Sequence, residues 1–123
     1  MGVGDLAEYA TYYFQTEGGR APVEEFINGL EGLESATQRK FFFKRSLLEE
    51  FGPRLPLPHA KRLEENLYEL RFETHAGQIR VFYFFDGKRI ILVHAMKKKT
   101  QKLPAQELAI AVQCKDAYLA HRG

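Results

Sequence analysis

The chain has one cysteine, no tryptophan and no apolar run near the roughly 20 residues that span a bilayer. A lone Cys114 excludes an intrachain disulfide and fits a reducing compartment. The first residues carry acids where a secretion signal carries bases, and Glu8 interrupts their apolar stretch. A cytoplasmic protein without a membrane partner is expected. His59, His75, His94 and His121 lack HxxxH-like or cysteine-paired spacing, so neither a metal nor another cofactor is expected. Glycine-rich phosphate loops and GxSxG elbows are missing as well. Cys114 sits in an apolar helical context and reads as packing rather than as a nucleophile.

Acidic residues are scarce in one particular place. None occurs between Asp86 and Glu107, a stretch that holds Lys88, Arg89, Lys97, Lys98, Lys99 and Lys102. Residues 1–37 are the reverse, with seven acids against the single base Arg20. The net charge of +2 hides this asymmetry, which points to a face for a polyanion. At 123 residues the chain forms one domain, 1–123, with room for a real core.

Residues 6–14, rich in tyrosine and threonine, read as a strand, and Glu17-Gly18-Gly19-Arg20 as a turn. Pro22 opens a short helix whose Val23, Phe26, Ile27 and Leu30 share a face. A second helix runs from Ser35, capped with Gln38, to Phe51 before Gly52-Pro53. Its apolar stripe is expected at Phe43, Leu47 and Phe51, widened by Phe41 and Leu48, with Arg39, Lys40, Lys44 and Arg45 opposite. Residues 53–62 read as a proline-rich basic loop. Strands follow at 67–72, 78–85 and 89–96, the last two joined by a hairpin at Asp86-Gly87. Ile90 to Val93 are apolar on both faces, as in a strand at the centre of a sheet. Pro104 opens a final helix packed through Leu108, Ala111, Val112 and Leu119. The class is α+β: a small antiparallel-type sheet packed against an N-terminal helix pair and a C-terminal helix.

The chemistry left open is a metal-free cationic site. RNA is cleavable by its own 2′-OH if that hydroxyl is held in line, the phosphorane charge is neutralised and two protons are managed. Arginine forks bind phosphate and stay charged, so Arg71 and Arg80 are candidates. Within Lys97-Lys98-Lys99, like-charge repulsion lowers the cost of losing a proton, so one amine is a candidate acid or base. Tyr83 and His94 are the other proton handlers. The bland alternatives are a solvated lysine loop, Arg71 and Arg80 paired with Glu69 or Glu73, His94 as a hydrogen-bonded core residue and Tyr83 as packing.

The segments LYELR, RVFYFFDG and ILVHAMKKKTQKLP, the last leading into a helix, resemble the HigB-like, phage-derived branch of the RelE/ParE toxin superfamily. His94, Ala95, Met96, the Lys97-Lys98-Lys99-Thr100 run and Pro104 match the family's usual form in the last segment, which is more specific than composition. The resemblance covers nearly the whole chain. It implies the toxin of a type II toxin–antitoxin system, a ribosome-dependent mRNA endonuclease (mRNA interferase) that inhibits translation. Its partners would be a HigA-like helix-turn-helix antitoxin and mRNA on the ribosome, with rRNA contacts. Catalysis is then expected from Arg71, Arg80, Lys98, Lys99 and His94, and RNA binding from His59, Lys61, Tyr83, Lys97 and Lys102. Arg80→Ala is expected to abolish toxicity without unfolding the protein. Glu69, on the strand face of Arg71, either orients that arginine or marks a site elsewhere. The rival readings are a ParE-like DNA gyrase poison and an inactive phage-derived module that binds RNA or a partner.

Overall fold

The computed structural model describes residues 7–30, 34–75, 77–98 and 102–122. The Ser35 side chain, and with it the Ser35–Gln38 cap, and Lys99 lie outside the described residues. The order is β1 (Ala10–Tyr13), α1 (Pro22–Asn28), α2 (Glu34–Phe51), a 3₁₀ turn (Gly52–Arg54), β2 (Ala60–Glu64), β3 (Leu67–Thr74), β4 (Gly77–Asp86), β5 (Arg89–Lys98) and α3 (Ala105–His121). The α+β class, the helix pair and the closing helix are as the sequence predicts.

All five strands form one sheet in the order β1-β5-β4-β3-β2. The β2–β5 meander is antiparallel, but β1 runs parallel to β5, so the sheet is mixed rather than purely antiparallel. The parallel pairing follows from the connection. The chain leaves β1 through two helices and returns at the far side of the sheet, so only the last strand of the meander reaches β1. Interior strand β5, between β1 and the central β4, is apolar on both faces because each is covered. Val23, Ile27, Phe41 and Leu48 of the helix pair pack on Leu70, Phe72, Ile79, Val81, Ile90 and Leu92. On the opposite face, Ala111 with Leu108 and Val112 of α3 packs on Leu67, Phe82, Phe84, Ile91 and Val93.

Three local expectations change. The segment 53–62 is not all loop, because β2 begins at Ala60. This strand is hard to read because Ala60 is its only fully buried side chain, and backbone pairing to β3 defines it. In α2 the buried line is Thr37, Phe41 and Leu48, with Lys44 half-buried in the same row at i, i+4, i+7 and i+11. Phe43 and Phe51 are exposed. Three consecutive phenylalanines allow two faces, and the sheet takes Phe41. The β4–β5 hairpin pairs Asp86 with Arg89, so its loop is Gly87-Lys88, with Gly87 at φ 61°. Positive φ at the first loop position is where such a turn needs glycine.

One irregularity positions the site. In the β4–β5 ladder Phe82 pairs with His94 but Tyr83 pairs with Leu92, which leaves Val93 as an extra residue. Such a bulge switches side-chain alternation from that point on. Ile90 and Leu92 face α2, whereas beyond the bulge Ala95 does, and His94, Met96 and Lys98 turn to the α3 face.

Candidate functional site

On the α3 face the sheet is apolar where the helix covers it and charged beyond the helix N-terminus. The charged end is assembled by register. Lys61 pairs with Glu69, Arg71 with Arg80, Arg80 with Met96, and Gln78 with Lys98, so these side chains share one face. Glu69 sits between two guanidiniums, its Oε1 3.6 Å from Arg80 Nε and 3.7 Å from Arg71 Nε. Glu69 and Arg80 are each only 3% exposed through their side chains, while Arg71 is partly open. Arg80 is further held by Gln78, whose Oε1 accepts from Nη2 at 2.5 Å, and by the Ile79 carbonyl at 3.4 Å. Glu69 Oε2 and Arg80 Nε are sealed from solvent without a hydrogen bond, so the ion pair itself compensates their charges.

Glu69 therefore pairs with both arginines rather than with Arg71 alone. The same pairing corrects the expectation for Arg80→Ala. Removing a buried guanidinium strands most of the Glu69 charge, so that variant loses stability as well as charge. Arg80→Lys, which keeps the charge and removes the planar fork, is the cleaner substitution.

Of the described lysines of the run, Lys97 and Lys98, it is Lys98 that joins this cluster. It is 8% exposed, and Lys97, one position earlier, projects to the α2 side, opposite Ile79 and against Gly77. Burial lowers the Lys98 amine below the usual lysine range, reinforced by Arg80 and, more weakly, by Arg71 and Lys61; Glu69 opposes the shift. The repulsion comes from arginines across the sheet rather than from the neighbouring lysine, which alternation sends away.

The remaining predicted residues separate. His94 stacks on Phe82 with ring centroids 5.6 Å apart, and its Nε2 lies 2.9 Å from Glu107 Oε1 on the first turn of α3. That pair pins the helix to the sheet and occupies the ring nitrogen. Tyr83 is 1% exposed on the opposite face, stacked on Tyr68, where burial holds its hydroxyl far above the ordinary tyrosine range. Tyr83 is thus core, apart from Arg80. Lys61 and Lys102 are exposed, Lys61 beside Glu69 and Lys102 just before α3. His59 lies at the sheet edge, where its carbonyl accepts the Arg71 N–H at 2.8 Å and its Nδ1 meets Lys44 Nζ at 2.8 Å. An ammonium only donates, so Nδ1 is the acceptor and the ring proton is on Nε2. Burial and then the Lys44 charge keep His59 below the ordinary histidine range.

A groove of about 660 Å³ opens beside the arginines and crosses the edge of the sheet to α2. Arg71, Arg80 and Gln78 form its sheet wall, and Lys40, Phe43 and Lys44 its helix wall. The sequence reading does not bring those three helix residues together, since it sets Phe43 on the apolar stripe and Lys40 and Lys44 on the face opposite. Their i, i+3, i+4 spacing was the available signal. Among the described residues no cluster of three or more His, Cys, Asp or Glu is set to hold a metal ion. Nor is any helix among them long and apolar enough to cross a membrane. The arrangement can fix an anionic, planar or tetrahedral oxygen group on paired guanidiniums, with a buried amine alongside.

No curated protein matches the chain. Residues 28–116 match the family described as phage-derived protein Gp49-like (DUF891), from the end of α1 to well into α3 and so across the whole charged face. The chain belongs to that Gp49-like family, a family of RelE/HigB-type toxin-like proteins.

Proposed function

We propose that the protein is the toxin of a type II toxin–antitoxin system and cleaves mRNA on the ribosome through the RNA 2′-OH. The observation that carries this reading is the Arg71–Glu69–Arg80 arrangement with Lys98 turned onto the same face. Arg71, the more open of the pair, takes the scissile phosphate, and Arg80 neutralises charge as the phosphorane forms. Glu69 keeps both guanidiniums in place without reorganisation during the reaction. Lys98 is the proton carrier: it lies on the same face as both guanidiniums, and burial with the Arg80 charge lowers the cost of releasing its proton. Lys99 remains a second candidate for that step. Family membership supports the toxin reading and, with it, an antitoxin partner; a HigA-like helix-turn-helix protein is the kind proposed.

The test is induced expression in a bacterial host with mRNA 5′ ends mapped over minutes. The wild type is expected to generate ends at a fixed position within translated codons and none in untranslated RNA. Arg80→Lys and Lys98→Met, both expressed as soluble protein, are expected to lose those ends. Growth arrest by the wild type without new ends, accompanied by a DNA-damage response, would replace this reading with gyrase poisoning.

A further inference from the structure

The helix wall of the groove carries an aromatic side chain that the fold does not use. Phe43 is 59% exposed on α2, and among the described residues its ring has no aromatic or cationic partner. Phe42, its equally exposed neighbour, differs. It packs against Phe41 at 5.7 Å and lies under the Arg45 guanidinium at 5.7 Å. Phe43 instead faces the groove, flanked by Lys40 and Lys44 and opposite Arg71 and Arg80.

The two lysines are anchored rather than free. Lys40 Nζ donates to the Glu73 carbonyl at 2.6 Å, and Lys44 Nζ to His59 at 2.8 Å. An ammonium has three donors, so each keeps further N–H groups while its position is fixed. Glu73, the acid on this groove, has its carboxylate engaged by Gln78 Nε2 at 3.0 Å. The groove thus sets four cations around one open ring, two of them shared with Glu69, and with the Glu73 carboxylate at the rim. Single-stranded nucleic acid is held by such a combination, phosphates on the charges and a base on the aromatic face.

We propose that Phe43 is a nucleobase-stacking residue. A single-stranded RNA crossing the Arg71–Arg80 site sets the base beside the bound phosphate on the Phe43 ring, and Lys40 and Lys44 hold the adjoining phosphate. The choice of RNA rests on the nuclease reading above; the stacking itself rests on the groove.

The absence of tryptophan supplies the test, because Phe43→Trp creates a single-tryptophan protein. Titration with a 2′-O-methyl tetranucleotide, which cannot be cleaved through its 2′ oxygen, is expected to quench that emission saturably. The control Phe42→Trp is expected to change little, and inorganic tripolyphosphate to leave Trp emission unquenched in both. Phe43→Leu, at an exposed position that leaves the core intact, is expected to weaken tetranucleotide binding by about tenfold with an unchanged salt slope. Unquenched emission at saturation, equal quenching by tripolyphosphate, undiminished affinity of Phe43→Leu, or no tetranucleotide binding by the wild type would each overturn the proposal. Quenching alongside a wild type that yields no codon-phased mRNA ends would uphold stacking and reject the nuclease reading.

Discussion

Replacing Glu69 by glutamine keeps its shape and removes the carboxylate charge that Arg71 and Arg80 share. The wild-type balance is a buried anion 3.6 Å from a buried cation and 3.7 Å from a partly exposed one. Breaking a buried ion pair by deleting one partner costs about 3–5 kcal/mol, because the surviving charge keeps its desolvation penalty. Both contacts exceed hydrogen-bond length, and solvent reaches Arg71, so the loss belongs at the lower end, about 3 kcal/mol. For a domain of this size that lowers the melting temperature by roughly 10–15 °C. Urea denaturation followed by circular dichroism measures it directly. The double variant Glu69→Gln/Arg80→Met removes both buried charges and is expected to recover about 2 kcal/mol over Glu69→Gln alone. A loss below about 1 kcal/mol in the single variant, or no recovery in the double, would refute the account of Arg80 as a buried cation balanced by Glu69.

The His94–Glu107 pair yields a second test. His94→Gln is expected to cost about 1–2 kcal/mol through looser α3 docking while mRNA cleavage stays within about threefold; a hundredfold loss in a folded variant would return His94 to proton transfer. A third test follows the His59 ring by NMR. Its pKa is expected below the ordinary value of 6.5 and is expected to rise in Lys44→Met, where the ammonium charge is gone. The sign for stability follows: with the folded pKa depressed, the unfolded chain binds more protons. His59 then costs the fold stability as pH drops through the ordinary histidine value, and less so in Lys44→Met. An unchanged histidine titration in that variant would mean the 2.8 Å contact with Lys44 does not persist in solution.

The sequence by itself determined the elements whose signals are local. Pro22 and Gly52-Pro53 bound the helices, the apolar run Ile90–Val93 marks an interior strand, and the acid-free stretch after Asp86 marks the charged end. Arg71 and Arg80 were legible as candidates by residue type, whereas the β3–β4 register that sets them opposite each other was not. Tertiary structure decided the rest. β2 forms only because β3 lies beside it, and the face α2 buries depends on the sheet choosing Phe41 over Phe43. That choice half-buries Lys44 and leaves Phe43 facing the groove. The lysine run shows the limit most clearly. Strict alternation along β5 would place Lys98 on the face of Leu92, away from Arg80. The extra residue at Val93 shifts the phase and brings the amine to the arginines. A bulge arises from the pairing of two strands, so no periodicity within β5 announces it.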